Sequence, residues 1–509
     1  MERFLERHQG RIIGTLSGFD RVLFRGTLRS ISYVKGLETF LSVNHVLHKD
    51  FGTYVRQLSE QLNEHAKTVA RVNGRPYQYL KSSSLSKEDV AKKIAKEDGI
   101  ERGLVCVLAC VEPCQSFDLR KDRESKHLKI IPAPRKCLHF YFYYMDREFG
   151  LMHVRLQSWL PFPVQVCLNG REYLARQLDK AGIGYEQRDN CFARIDDLPR
   201  AQKIMDKLVE RCWAKFLDKL AQRVNPLPPT LNLHGYYWTI RQGEVATDIM
   251  FRDAKSLAEI YPALVQHAML QFKSPDVLRF LGRGTNCRFQ GEVQSDMQHR
   301  TEGVRIKHRV EENSIKMYDK QGSVLRIETT INNPRRFKIL RERTCNGQPK
   351  LVWIPLRKGL ADIARRVELS RAANERYLEA LSVVGAPAPT KVLLDPIQRR
   401  RVRDSRPYRA LRPIGEDDSR LFAAVLRGEH HLQGFRNADI RRQLYPNLTD
   451  EAEIRRTSHR VGRWLRLLRA HGLISKVSHT QYYRVTKLGA HIMTTAQKLR
   501  ELDLTAIAA

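Results

Sequence analysis

The stretch RIKHRVEENSIKMYDKQGSVLRIETTIN, residues 305–332, restricts the fold more than any other. Apolar and polar residues alternate through successive short runs, the pattern of strands with one buried face. A three-residue loop of Lys320, Gln321 and Gly322, with glycine in the left-handed position, pairs Asp319 with Ser323. That register sets Ile315 and Met317 across from Ile327 and Leu325 on one face. It sets Lys316 and Tyr318 across from Arg326 and Val324 on the other, with Glu328 alongside. A slip of one residue would mix the two faces, so pattern and turn agree. The preceding VRIKHRV alternates too, and as the next strand it adds Arg305, Lys307 and Arg309 to the polar side. The expected product is a sheet with an apolar back and a basic front.

A basic front matches the charge balance of the whole chain. Lys and Arg total 89 against 56 Asp and Glu, a net of +33 with a pI near 10. Such an excess suits a polyanion, because each phosphate neutralised releases counterions. The expected partner is nucleic acid, double-stranded DNA first. A membrane partner is not expected, since no apolar run approaches the roughly 18–20 residues needed to span a bilayer. The opening MERFLERHQGR carries no apolar signal core, so a soluble, cytoplasmic protein is expected. The nine cysteines include no Cys-x-x-Cys, and they read as reduced core thiols rather than metal ligands.

At 509 residues the chain exceeds one ordinary core. Residues 1–225 alternate strands with helices and read as an α/β domain, ended by the proline cluster VNPLPPTLN. Within it, GRIIGTLSGFDRVLFRGTL reads as two strands about a turn at Ser17 and Gly18. Residues 36–70 read as helix, Ser86 caps another, and Gly182 ends a third. Residues 232–385 read as an α+β domain that carries the basic sheet. Residues 386–416 form a Pro/Arg-rich linker arm, in which 398–412 hold seven arginines against the single acid Asp404. Arg399, Arg400, Arg401 and Arg403 are its candidate phosphate contacts.

The last region, 417–505, reads helix, helix, helix, β-ribbon, helix, which is the winged helix-turn-helix order. Asn437 caps its second helix in this reading. In the third, Val461, Trp464, Leu465 and Leu468 form one apolar stripe at offsets 0, +3, +4 and +7. Arg456, His459, Arg460 and Arg463 repeat those offsets on another face, where a recognition helix meets the major groove. The segment RWLRLLRAHGLISKV…YYRVTKLG resembles winged-helix transcription regulators. Through SGFDRVLFRGTL, CLHFYFYYMD, LNGREYLARQL, IKMYDK…LRIETTIN and this terminal region, the chain resembles a family of bacterial proteins labelled MarR-like regulators. The resemblance implies DNA binding and assigns no catalytic residue.

Two chemistries are candidates for the rest of the chain. Asp20, Glu112 and Asp146 each follow or end an apolar strand-like run, as carboxylates do that present two Mg²⁺ ions to a phosphodiester. Glu244 and Asp248 in GEVATDIMF share a face as strand or as helix. Tyr318 in YDK…RIE resembles the nucleophilic tyrosine of rolling-circle initiators, whose His-apolar-His metal motif is missing here; EHH at 429–431 does not supply it. Tyr318 otherwise serves for base stacking. GRGTNCRFQG at 282–291 reads as a loop, and no Walker, HExxH or GxSxG motif occurs. The expectation is therefore a multidomain DNA-binding protein: a transcriptional regulator, or one tied to a mobile element or to replication. The alternative is a metal-dependent nuclease or transposase-type enzyme using Mg²⁺, while the binding reading needs no cofactor.

Overall fold

The structure, a computed structural model, describes all residues except 124–126, 283–291, 302, 346–347, 385–389, 428–429, 431–433, 479 and 502–509. Residues 283–291 of the loop expected at 282–291, most of the Ala/Pro segment and two of the three EHH residues thus lie outside the described residues.

The fold is mixed α+β, built on one large sheet. Its strands are β1 (Ile12–Thr27), β2 (Tyr77–Leu80), β3 (Gly103–Lys121), β4 (Leu128–Asp146), β5 (Gly150–Gln157) and β6 (Val164–Asn169). After a separate hairpin of β7 (Tyr185–Arg188) and β8 (Cys191–Ile195) come β9 (Tyr237–Phe251), β10 (Val293–Arg300), β11 (Gly303–Val310), β12 (Asn313–Lys320) and β13 (Val324–Ile331). The order is β10-β11-β12-β13-β9-β1-β6-β5-β4-β3-β2, antiparallel except for the β2–β3 pair. The proline cluster forms a four-residue helix of its own, Leu227–Thr230, between the helix Trp213–Val224 and β9. It does not break the sheet, because β1 pairs with β9 from Ile12 to Thr27, and regions 1–225 and 232–385 share one ladder.

That ladder removes the turn expected at Ser17 and Gly18. Ser17 faces Thr247 and Gly18 faces Ala246 in unbroken pairing. Gly18 is glycine for packing: a Cβ there would come 2.4 Å from Cε of Met205 on the helix Leu198–Glu210. The helix expected over 36–70 is two, Val34–Val43 and Phe51–Val72. The Ser86 cap and the left-handed Gly182 are as read from the sequence, with Ser86 Oγ accepting from Asp89 N.

One face of the sheet is dry. Phe19, Val22, Phe24, Phe140, Val154 and Val166 pack there against Val34–Val43, Phe51–Val72 and Trp213–Val224. Farther along the sheet, Ile249, Ile315, Met317 and Ile327 pack against the helix Ile363–Leu381. The opposite face carries the charged residues, partly covered by the helices Lys87–Glu97, Gly170–Ala181 and Leu198–Glu210.

A ribbon of β14 (Lys338–Cys345) and β15 (Gln348–Pro355) follows the large sheet. Beyond it the chain forms a separate apolar core from the helices Glu416–Val425, Asn437–Leu444, Glu451–Ala470 and Lys487–Glu501, with a short ribbon of two three-residue strands, Ile474–Lys476 and Tyr483–Val485. Leu394, Ile397 and Leu411 belong to that core, so the arginine arm is not a free linker. Its strands Arg401–Arg403 and Arg406–Tyr408 form a hairpin, and Arg403 Nη1 donates to the Arg469 carbonyl at 2.8 Å. Asn437 is the first residue inside its helix rather than the cap, and it bonds Ser458 of the next helix. Among the described residues no helix is long and apolar enough to cross a membrane.

Candidate functional site: a carboxylate cluster beside a basic cavity

The hairpin of the opening stretch closes one step later than expected. Lys320 pairs with Val324, so the loop is Gln321, Gly322 and Ser323. Gln321 and Gly322 take positive φ of 53° and 72°, and they carry the left-handed part of the turn. The total register shift is even, so every side chain keeps its face. The partners change, however: Lys316 faces Glu328 instead of Arg326, and Tyr318 faces Arg326. A like-charge pair becomes an ion pair, which favours this register. The strand VRIKHRV does pair next, with Lys307 opposite Lys316 and Arg305 opposite Tyr318.

The basic front is corrected by the strands beyond the hairpin. β9 and β1 bring Glu244, Asp248 and Asp20 to the same face. Asp20 arrives through a β-bulge: Phe19 pairs with Val245 and Val22 with Gly243, leaving Asp20 and Arg21 together opposite Glu244. A bulge in the middle of a sheet re-aims a side chain. Here it turns Asp20 toward the acids of the next two strands. Oxygens of Asp20, Glu244 and Glu328 all lie within 4.8 Å of one another.

Cations hold this cluster in place. Lys316 Nζ lies 2.5 Å from Glu328 Oε1 and 3.5 Å from Glu244 Oε1. The buried Arg326 guanidinium grips Asp248 through Nε (2.6 Å) and Nη2 (3.0 Å), and Asp20 through Nη1 (3.0 Å). Arg171 Nη2 reaches Asp248 from the other side at 2.9 Å. Its helix starts there because Asn169 caps it and because Gly170 alone fits, a Cβ being 2.2 Å from the Phe19 carbonyl. Asn190, beside the β7–β8 turn, donates to Asp20 at 2.6 Å, and its carbonyl accepts from Arg326. Four carboxylates thus meet three cations on a nearly dry face.

The electrostatics follow. Burial pushes the Glu328 carboxyl up to about 7; Lys316 opposes the rise, and Glu244 and Asp20 add to it. Burial acts against the Lys316 ammonium, but Glu328 and Glu244 outweigh it and raise its value. Asp248, which burial alone would raise, is held below the ordinary carboxylate range by Arg171 and Arg326. Glu328 is therefore poised near neutrality, where a group can give or take a proton.

Glu244 also lines a cavity of about 460 Å³ with Arg241, Lys307, Arg309, Lys316 and Lys358. Arg241, Lys307 and Lys358 form no ion pair among the described residues. The cavity accordingly has two lining acids, Glu244 and Glu312, among five lining cations, of which Lys316 is paired to the cluster.

The remaining sequence candidates fall elsewhere. Glu112 is tied to Lys87 (2.9 Å), Arg155 (2.7 Å) and the Tyr141 hydroxyl (2.7 Å), away from Asp20. Asp146 accepts from the backbone of Glu148 and Phe149 in the β4–β5 turn. The set of Asp20, Glu112 and Asp146 is thus not brought together; only Asp20 enters the cluster. Arg305 is buried and bonded to Gln298 and Asp296, so with Lys316 and Arg326 it is removed from any exposed basic face. Lys307 stays at the cavity. Burial pushes the Tyr318 hydroxyl up to about 12, with Glu328 adding to the rise, so the phenol keeps its proton at neutral pH. Arg456, His459, Arg460, Arg463, Arg399, Arg400, Arg401 and Arg403 are exposed, and Val461, Leu465 and Leu468 are buried beneath the first four. Cys106, Cys110, Cys114, Cys137, Cys167, Cys191 and Cys212 are free thiols.

Sequence reasoning noticed Glu244 and Glu328 separately and did not join them to Asp20. The missing information was that β13, β9 and β1 are neighbours; once paired, their alternation puts all three acids on one face. No family model, curated protein or solved structure matches the chain.

Proposed function

We propose that the protein acts on nucleic acid, with Asp20, Glu244 and Glu328 forming a divalent-cation site for phosphodiester cleavage or strand transfer. One observation carries the reading: Glu244 belongs both to the carboxylate cluster and to the wall of the basic cavity. Carboxylates alone serve as structural ion-pair partners, and cations alone bind any polyanion. Sharing a residue sets an oxygen-ligand site beside a place for phosphate. Three carboxylates suit a hard ion such as Mg²⁺. When bound, such an ion supplies Lewis-acid polarisation of a phosphoryl oxygen. The chain's own groups do the rest: the cavity cations hold the backbone, Arg326 fixes Asp20, and Lys316 fixes Glu328 and Glu244.

The C-terminal unit serves as the duplex-docking module in this reading, a winged helix of MarR-like type. Its element order and the exposed row Arg456, His459, Arg460 and Arg463 support that assignment. A regulator that only occupied an operator would have no use for the carboxylate cluster, which favours a DNA-processing enzyme, such as one of a mobile element.

The test is cleavage of end-labelled single-stranded and duplex oligonucleotides with Mg²⁺ or Mn²⁺ against EDTA. Cation-dependent products are expected from the parent and none from Glu244→Gln. No product from the parent with any substrate and either ion removes the enzymatic reading.

A further inference from the structure

Beyond the cavity, the charged face continues across β1, β6 and β5. Register places Arg155, Gln165, Arg25 and Thr239 in one row, each on the strand next to the last. Neighbouring strands lie about 4.8 Å apart, so the two arginines are about two spacings from each other. A second irregularity, between the Leu23–Gln242 and Phe24–Ile240 pairs, inserts Arg241 beside them. Arg241 is also a cavity wall residue, so the row and the cavity are continuous.

This row is short of negative charge. Arg25 is held below the ordinary guanidinium range by burial, then by Arg241 and Arg155. Its Nε and that of Arg155 are buried with no hydrogen-bond partner. Neither Arg25 nor Arg241 forms an ion pair among the described residues. The acid paired with Arg155 is Glu112, already shared with Lys87. Three guanidinium groups that have between them one carboxylate partner, the Glu112 of Arg155, repel one another in the free protein and are stabilised when an anion enters. Next to Arg25 on the same face stands Tyr237, 39% exposed, with the Arg29 guanidinium 3.5 Å from its ring centre. Cations tracking a backbone beside an exposed aromatic are the features of single-strand binding surfaces.

We infer that this face holds one single-stranded polynucleotide laid across β5, β6, β1 and β9. Arg155, Arg25 and Arg241, with Lys358 beside Arg241, hold phosphates on one side of the carboxylate cluster, and Lys307 holds them on the other. The inference rests on the proposed cleavage centre only for the direction in which the strand is led. A single strand fits better than a duplex because the groups at the β5–β1 end are recessed: the Arg155 side chain is 20% exposed and Arg25 is half-buried. A stiff duplex cannot lower its backbone onto such groups, whereas a flexible strand can.

Fluorescence anisotropy on the full chain in EDTA, with labelled oligo(dT), oligo(rU) and a hairpin duplex as probes, tests the track. Arg25→Ala and Arg241→Ala should each weaken the preferred single strand by about tenfold, the loss of one charged hydrogen bond. Each should also flatten the log–log salt slope by about 0.7, while duplex binding through the C-terminal unit stays unchanged. Whichever single strand binds tighter identifies the sugar. Arg241 is exposed, so its replacement tests the idea even if Arg25→Ala fails to fold. Unchanged single-strand affinity in Arg241→Ala overturns the track, as does an equal loss for duplex and single strand. If the parent cleaves nothing yet Arg241→Ala loses single-strand binding, the cleavage centre fails and the track stands. If Arg241→Ala binds normally and cation-dependent cleavage persists, the track fails alone.

Discussion

Replacing Arg326 with methionine removes the charge that the carboxylate cluster is built around while keeping much of the length and apolar volume. The Arg326 side chain is 2% exposed and makes four hydrogen bonds, two to Asp248, one to Asp20 and one to the Asn190 carbonyl. Burial acts against its charge, but Asp20 and Asp248 outweigh it, so the guanidinium is more firmly protonated than in water. Without it, Asp248 keeps Arg171 and Asp20 keeps Asn190 as side-chain partners among the described residues. Breaking a buried ion pair by removing one partner costs about 3–5 kcal/mol. The orphaned carbonyl adds about 1–3 kcal/mol. A loss of about 4–8 kcal/mol is comparable with the total stability of many domains, about 5–15 kcal/mol. Urea unfolding followed by tryptophan fluorescence should show it as a large fall in midpoint. The double variant Arg326→Met with Asp248→Asn removes both charges and should lose less than the sum of its singles, by about 1–3 kcal/mol. A loss below about 1 kcal/mol, or simple additivity, would mean that the acids are solvated or neutral. The cluster would then have no fixed geometry to offer a cation.

Acid should destabilise the protein through its buried histidines. His308, bonded to Ser295 (2.7 Å) and Tyr377 (3.1 Å), and His139 are both pushed down to about 4, chiefly by burial. Because the folded values lie below the unfolded one, their contribution is complete above about pH 6.5 and is lost as pH falls toward 4, roughly 2 kcal/mol each by about pH 5. His308→Gln should flatten that decline in urea midpoints, and an unchanged decline refutes the assignment. Arg460→Ala and Arg463→Ala should each reduce preference for a selected duplex by about 1–3 kcal/mol. Serine at Arg399, Arg400, Arg401 and Arg403 should instead weaken all duplexes alike. Silence in both sets, with loss of a protein partner, makes the C-terminal unit an interaction module. Tyr318→Phe should retain any cleavage, since the protonated phenol is not the nucleophile; a denaturant-resistant DNA adduct lost only in that variant would reverse this.

Local pattern carried the two faces of the β12–β13 hairpin, the Ser86 cap and the two stripes of the helix Glu451–Ala470, because each depends on neighbours within a few residues. It placed Lys316, Tyr318, Arg326 and Glu328 on one face correctly, since parity survives an even shift in register. It misjudged the character of that face. Lys316 and Arg326 look free in the sequence, but Glu244, Asp248 and Asp20 come from strands far away in the chain. Gly18 shows the same limit: a glycine beside a serine is a turn signal, and only Met205 explains why it lies in mid-strand. The Asp20 bulge left no local mark, because an extra residue in a ladder is visible only against its partner.

The β1–β9 ladder also sets the order in which the protein can come into being on a ribosome. Ser17 and Thr247 touch across 230 positions. At about 5–20 residues per second, β1 waits for roughly ten seconds or more before its partner is synthesised. Throughout that interval its edge toward β9 has open backbone groups, a template for pairing with any passing strand. A nascent chain stalled before residue 237 should therefore depend on chaperones and aggregate when they are withdrawn, and once β9 is in place the open edge passes to β9 until β13, residues 324–331, is made.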